Sequence, residues 1–188
     1  MGRETKHIEW SEVTRLVDSL KKDNNRIHLL ITIQSMLGLR VGDVLSLKWS
    51  DFDSEELCIT ERKTKKVKRM IINDSLRTIV HEEYNKKFKN KKKDLIFLNK
   101  LGTSSISISY VNTSLKKAFK KYDVKSDQVS SHIFRKSFCY KILEDGDFSD
   151  KAIFLVSRLL NHSSIATTMK YLLLDQREAD NIYLNLKL

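Results

Sequence analysis

The stretch LCITERKTKKVKRMIIN, Leu57–Asn73, decides the fold class. Its two ends, Leu57–Thr60 and Arg69–Ile72, read as short β-rich segments, and between them lies a turn made largely of cations. This predicts a small antiparallel hairpin. On either side the apolar spacing becomes helical, three and four residues apart. Upstream, Val13, Leu16, Val17 and Leu20 define one helix. Ile27, Leu30, Ile31 and Leu37 define a second that runs out at Gly38, and a short helical segment follows through Val44, Leu45 and Leu47. Downstream, Ser75 caps a helix through Leu76, Ile79, Val80 and Tyr84, Leu95–Leu98 adds a short third strand, and Ile108, Val111, Leu115, Ala118 and Phe119 share the face of a further helix. Ser131 caps a helix carrying Phe134, Phe138 and Ile142 that stops near Gly146, while Ser149 and Ser164 start two more. The sum is an α+β fold, a mainly helical domain with one small antiparallel sheet.

At 188 residues the chain fits one domain, since roughly 150 residues make a typical one. The expectation is a single domain over 1–188. With no proline and five glycines there is no flexible linker composition, and the basic run Asn85–Asp94 reads as a charged helix end or loop. No stretch approaches the roughly 18 apolar residues of a membrane span, and MGRETKHIEW carries charge where a secretion signal has its apolar stretch. A cytoplasmic, membrane-free protein is expected. Cys58 and Cys139 each stand alone in an apolar setting, outside any CxxC pair, so both read as reduced packing residues. The 35 Lys and Arg against 24 Asp and Glu leave a net charge of +11, which calls for a polyanionic partner, nucleic acid first of all.

Four segments set charged groups beside apolar ones. In GLRVGDVLSLKWSDFD, Gly38–Asp53, Arg40 falls at the break between two helices with Asp43 three residues on; alone, it reads as a surface arginine or the partner of Asp43. In the hairpin turn, Lys63 stands at the strand exit, able to push an ammonium toward a bound phosphate. In SHIFRKSF, His132 and Arg135 occupy positions i and i+3 of a first helical turn, where free N–H groups also favour anions. In LLNHSSIATTMKY, His162 precedes a helix cap and Tyr171 follows on that helix. A zinc site from His132, Cys139 and His162 lacks ligand spacing.

Taken together, the order and spacing of these segments resemble the tyrosine recombinase, or phage integrase, family. Gly38–Asp53 is similar to its first box, HIFRKSF to its HxxR box and LLNHSSIATTMKY to its last box, so the resemblance implies a catalytic set of Arg40, Lys63, His132, Arg135, His162 and Tyr171. It further implies double-stranded DNA as substrate, a homo-oligomer (a tetramer) on that DNA, and strand exchange for integration, excision or inversion. Two alternatives stand beside it: a type IB topoisomerase-like nicking and resealing enzyme, and a non-catalytic DNA-binding regulator.

The chemistry agrees with that set. Arg40 and Arg135 supply bidentate donors for the charge that grows on the phosphoryl oxygens, His162 adds another donor, and His132 can take the proton of the Tyr171 phenol. A strongly cationic surround is expected to increase the phenolate fraction of Tyr171. Lys63 protonates the leaving 5′-oxygen, and because the phosphotyrosine retains the ester energy, no cofactor, ATP or metal is needed. The chain departs from the family in having almost nothing before Val13, where most relatives carry a core-binding domain. It therefore reads either as an excised catalytic domain or as a short-form recombinase. Residues 176–188 read as a docking tail, with Ile182, Tyr183 and Leu186 at helical spacing and Ile182 and Leu186 expected to bury either in a neighbouring protomer or, equally, against their own domain.

Overall fold

The computed structural model describes residues 6–87, 95–174 and 183–185. Its elements run α1 (Trp10–Asp23), α2 (Asn25–Leu37), α3 (Val41–Val44), a 3-10 turn at Trp49–Phe52, β1 (Glu56–Thr60), β2 (Val67–Ile71), α4 (Asp74–Lys87), α5 (Ile108–Lys121), α6 (His132–Asp145), α7 (Asp150–Leu159) and α8 (Ile165–Leu172). A helix apolar on all sides belongs in the interior. That is α2, whose Ile27, Leu29, Leu30, Ile31, Ile33 and Leu37 are all buried, with α1, α4 and α6 packed around it. The second interior helix, α6, buries Ile133, Phe134, Cys139 and Leu143, and its far end joins Val156, Leu160, Leu172 and Leu174 in a smaller cluster with α7 and α8.

The close approach of α2 to α6 depends on one glycine. Gly38 ends α2 with φ +60°, and a Cβ there would stand 2.4 Å from the Phe138 ring. Any other residue would meet both a backbone penalty and a clash.

The hairpin pairs β1 with β2 in antiparallel register, Leu57 opposite Met70 and Ile59 opposite Lys68. The two-residue period turns Leu57, Ile59 and the following Glu61 inward, and turns Cys58 and Thr60 outward. Cys58 is therefore exposed, not a packing residue, whereas Cys139 is buried. Leu95–Leu98 forms no third strand: it makes only isolated bridges, Lys48 with Leu95 and Leu98 with Ser105, so the sheet among the described residues has two strands. Two helix caps also differ from expectation. Asn73, not Ser75, accepts from the Leu76 N–H at the start of α4, and Ser131 is itself in helical geometry and makes no side-chain cap. Ile108 is exposed, leaving the face of α5 to Val111, Leu115, Ala118 and Phe119. Ser107, Ser149 and Ser164 cap α5, α7 and α8 through their hydroxyls. No described helix is long and apolar enough to cross a membrane. Residues 88–94 of the basic run and Ile182 and Leu186 of the tail lie outside the described residues.

Candidate active site

Arg135 is the centre of the site. It sits one turn into α6 and is only 2% exposed, an unusual position for a guanidinium. Two backbone carbonyls hold it: Nη1 donates to Gly38 O at 2.7 Å, and Nη2 donates to Leu160 O at 3.4 Å. The close packing permitted by Gly38 thus also fixes the angle of Arg135.

Arg40 lies between α2 and α3, directly after that crossing. Its Nη1 donates to Glu61 Oε1 at 2.8 Å, and its other N–H groups make no hydrogen bond with the described residues. The partner is Glu61, not Asp43. Asp43 is instead turned to the hairpin, where its Oδ1 accepts from the Arg62 N–H at 2.8 Å. Glu61 is fully buried and also accepts from the Thr64 hydroxyl at 2.6 Å. Its carboxyl is held below the ordinary value: burial opposes ionisation, but Thr64, Arg40, Asn161 and Arg135 together outweigh it. Lys63 stands exposed in the turn that Glu61 closes, with Glu61 N donating to Lys66 O and Lys65 N donating to Glu61 O, both at 2.9 Å.

His162 is delivered by the end of α7. Asn161 takes the left-handed conformation, φ +55°, and paired bonds run from Asn161 N to Arg158 O and from His162 N to Ser157 O, each 3.1 Å. This is a Schellman closure, which asparagine tolerates. The His162 Nδ1 lies 2.9 Å from the Thr168 hydroxyl, so a hydroxyl that donates there leaves Nε2 protonated and facing away as a donor. Burial, reinforced by Arg135 and Arg40, pushes the imidazole down to about 4, so it is neutral at pH 7.

Tyr171, on the last turn of α8, packs edge-on against the His162 ring with centroids 5.6 Å apart, and Lys136 Nζ sits 4.7 Å from its own ring centre. The chain beyond it is pinned by the Tyr140 hydroxyl, which donates to Leu172 O at 2.5 Å, and by the burial of Leu172 and Leu174. The Tyr171 hydroxyl is buried beside the Arg135 guanidinium in a geometry that makes no aligned hydrogen bond. The cations do favour phenolate, as expected, but they do not decide the outcome. Burial dominates and pushes the phenol up to about 12, with Arg135 opposing it only in part.

Arg40, Arg135, His162 and Tyr171 therefore converge within one chain. Lys63 and His132 complete the rim. His132 is the exposed first residue of α6, and its pKa is lowered by the protein around it, then by Arg135, Lys136, Arg40 and Lys63. Lys63 also acts electrostatically on His162. Glu61, Thr168, Lys136 and Lys68 were not singled out from sequence. Thr168 had a usable signal, three residues before Tyr171 and so on the same helical face. Lys68, 7% exposed on β2, is pushed down to about 8 by burial and then by Arg135.

A helical domain with a two-stranded hairpin that brings two guanidiniums, an imidazole and a phenol together has the build of a DNA-rejoining catalytic domain. The phage integrase family matches residues 6–178, and the chain belongs to that family, the tyrosine recombinases. It is 29% identical over 158 residues to the probable integrase/recombinase YoeC of Bacillus subtilis, covering 84% of this chain and 82% of YoeC. It is 27% identical over 186 residues to tyrosine recombinase XerC of Escherichia coli O157:H7, covering 95% of this chain and 59% of XerC. The chain thus spans under two thirds of XerC. Among solved structures, the XerA recombinase superposes with a TM-score of 0.73 at 19% identity, over 100% of this chain and 66% of that one. XerH bound to palindromic difH superposes at 0.72 and 20% identity, over 91% of this chain and 50% of that one.

Proposed function

We propose that residues 1–188 form one catalytic domain of a site-specific recombinase that cuts and rejoins double-stranded DNA through a 3′-phosphotyrosine. The observation that carries this reading is the Tyr171 hydroxyl, held in its own chain beside Arg135 and against His162. The Tyr171 oxygen attacks the phosphorus, the P–O5′ bond breaks, and the 5′-oxygen leaves with a proton from Lys63. Because the phenol is neutral when buried, its proton must depart during attack, and His132, neutral for the reasons given, is the acceptor. Arg40 and Arg135 bind the non-bridging oxygens with His162 Nε2–H as a third donor; a single donor of this kind contributes on the order of 10²–10³ in rate. A 5′-hydroxyl from another strand then reverses the step, so the exchange proceeds without a cofactor or metal.

The net charge of +11 supports DNA as partner and, with it, a cytoplasmic location. A homotetramer on DNA is supported by the apolar side chains left exposed beside the tyrosine helix, Phe154, Leu155, Leu159 and Ile165, and by Tyr183 and Leu184 near the chain end.

A random-sequence library of nicked suicide duplexes tests the reading. The wild-type protein is expected to select duplexes that become covalently attached and survive denaturation, and Tyr171→Phe to bind those duplexes and form no adduct. Adducts that lead to plasmid relaxation without strand exchange would favour a nicking and resealing enzyme; no adduct from any duplex would overturn the covalent chemistry.

A further inference from the structure

We propose that Glu61 is a positioning residue for the strand-transfer reaction, a buried carboxylate that joins the three chain segments bearing the phosphate-binding and proton-donating groups. The inference rests on the recombinase reading above and adds a residue that reading does not use.

The geometry is specific. One carboxylate oxygen, Oε1, receives Arg40 Nη1 at 2.8 Å, so that edge of the guanidinium is taken, while its remaining N–H groups make no hydrogen bond with the described residues and the side chain stays 20% exposed. The other oxygen, Oε2, receives the Thr64 hydroxyl at 2.6 Å, next in sequence to Lys63. Glu61's own N–H and carbonyl close the same turn on Lys66 and Lys65, so its side chain and backbone together set where Lys63 leaves the hairpin. On its third side is Asn161, the left-handed residue before His162, whose buried Nδ2 has no aligned hydrogen bond and lies near enough to help keep the carboxylate ionised.

Charge gives the second argument. Glu61 is the carboxylate that acts on Arg40, Arg135, Lys68 and His162, a group that otherwise holds Arg40, Arg135, Lys68 and Lys63 close together. Without it, the guanidiniums repel one another and their spacing depends on the phosphate they are meant to receive. With it, the Arg40–Arg135 spacing is set before DNA arrives, which is the condition for electrostatic preorganisation. At 0% exposure the carboxylate is shielded from solvent, whereas the Arg40 side chain it holds remains 20% exposed.

A merely structural carboxylate and a positioning one predict different outcomes, because Glu61→Gln removes a negative charge beside a polyanion site. The test uses the duplex selected by the wild-type protein and measures single-turnover cleavage at saturating DNA, duplex affinity and melting temperature. For Glu61→Gln, affinity should stay level or rise, while cleavage slows by about 10- to 100-fold, the cost of misplacing reacting groups by a fraction of an ångström to an ångström. Glu61→Asp, which keeps the charge, should regain part of that rate. If Glu61→Gln melts below the assay temperature, Glu61→Asp at native stability decides: slowed cleavage at saturating DNA supports the role, and the wild-type rate overturns it. Wild-type cleavage by folded Glu61→Gln overturns it as well. Absence of an adduct even with the wild-type protein overturns the covalent reading and this inference with it, whereas equal wild-type and variant rates remove the inference alone.

Discussion

Arg135 and Lys63, which we propose act on one phosphodiester, stand in opposite surroundings. Arg135 is 2% exposed, clamped by the carbonyls of Gly38 and Leu160, while Lys63 stands in solvent on a hairpin turn. The division extends to their neighbours: Tyr171, His162 and Glu61 belong to the buried half, His132 and Lys63 to the exposed rim. In the proposed reaction, what differs is the work each half does. Groups that stabilise charge on the phosphoryl oxygens act best when fixed and dry. Groups that pass protons must reach the atom they protonate and recover their own proton before the next step. The buried half is accordingly where the strong displacements of pKa occur, up to about 12 for Tyr171 and down to about 4 for His162.

If that division is right, substitutions in the two halves must fail in different ways. The largest effect is expected for Arg135→Lys. A compact ammonium lacks the wide planar fork of donors that reaches the Gly38 carbonyl, the Leu160 carbonyl and a phosphate in separate directions, so cleavage should fall by about 10³-fold. The melting temperature should fall as well, since a buried charged donor is left mismatched to its carbonyls. A variant that loses rate but keeps its full stability would show that the carbonyl clamp is incidental. Lys63→Ala comes next. It should slow cleavage by about 10²-fold with no change in melting temperature. A duplex whose leaving group needs no proton, such as one with sulfur in place of the bridging 5′-oxygen, should recover most of the rate. Failure of that substrate to rescue would move the general acid elsewhere in the basic turn.

The same division sets how far the sequence could be read. Features local in the chain were legible: the helical periods of α1 and α2, the Gly38 terminus, the serine caps of α7 and α8, and the placement of His132 and Arg135 in the first turn of α6. Contacts made by folding were not. Asp43 looked like the partner of Arg40 because it is three residues away, yet the hairpin brings in Glu61 from 21 residues away and turns Asp43 onto the Arg62 amide. Leu95–Leu98 has strand composition, but finds only single bridging partners at Lys48 and Ser105. Cys58 sits among apolar neighbours in sequence, yet strand alternation turns it outward. The direction of the Tyr171 shift could not be read from residue types, because it depends on whether burial or nearby charge prevails.

Lys68 offers the finest test, because it shares the burial of the inner half while its ammonium makes no hydrogen bond or ion pair with the described residues. It is 7% exposed beside Arg135, and its ammonium is pushed down to about 8 from an ordinary 10.5. A lysine whose folded pKa is depressed binds fewer protons in the native state than in the unfolded one between those two values. Native stability therefore rises with pH across that window, and below it the buried charge costs at most about 3 kcal/mol. Lys68→Met should then raise stability by about 1–3 kcal/mol at pH 7. The gain should shrink as the wild-type lysine becomes neutral, from pH 8 toward pH 10.5. Chemical denaturation of both proteins at pH 7 and pH 10 measures the difference directly. A gain that does not vary with pH would assign the change to packing rather than to charge, and a loss would mean that Lys68 is better compensated by Glu61 than its depressed pKa implies. The predicted result would instead show that the buried half of this site is held together against the preference of its own charges, which is the physical cost of having the cations in place before the phosphate arrives.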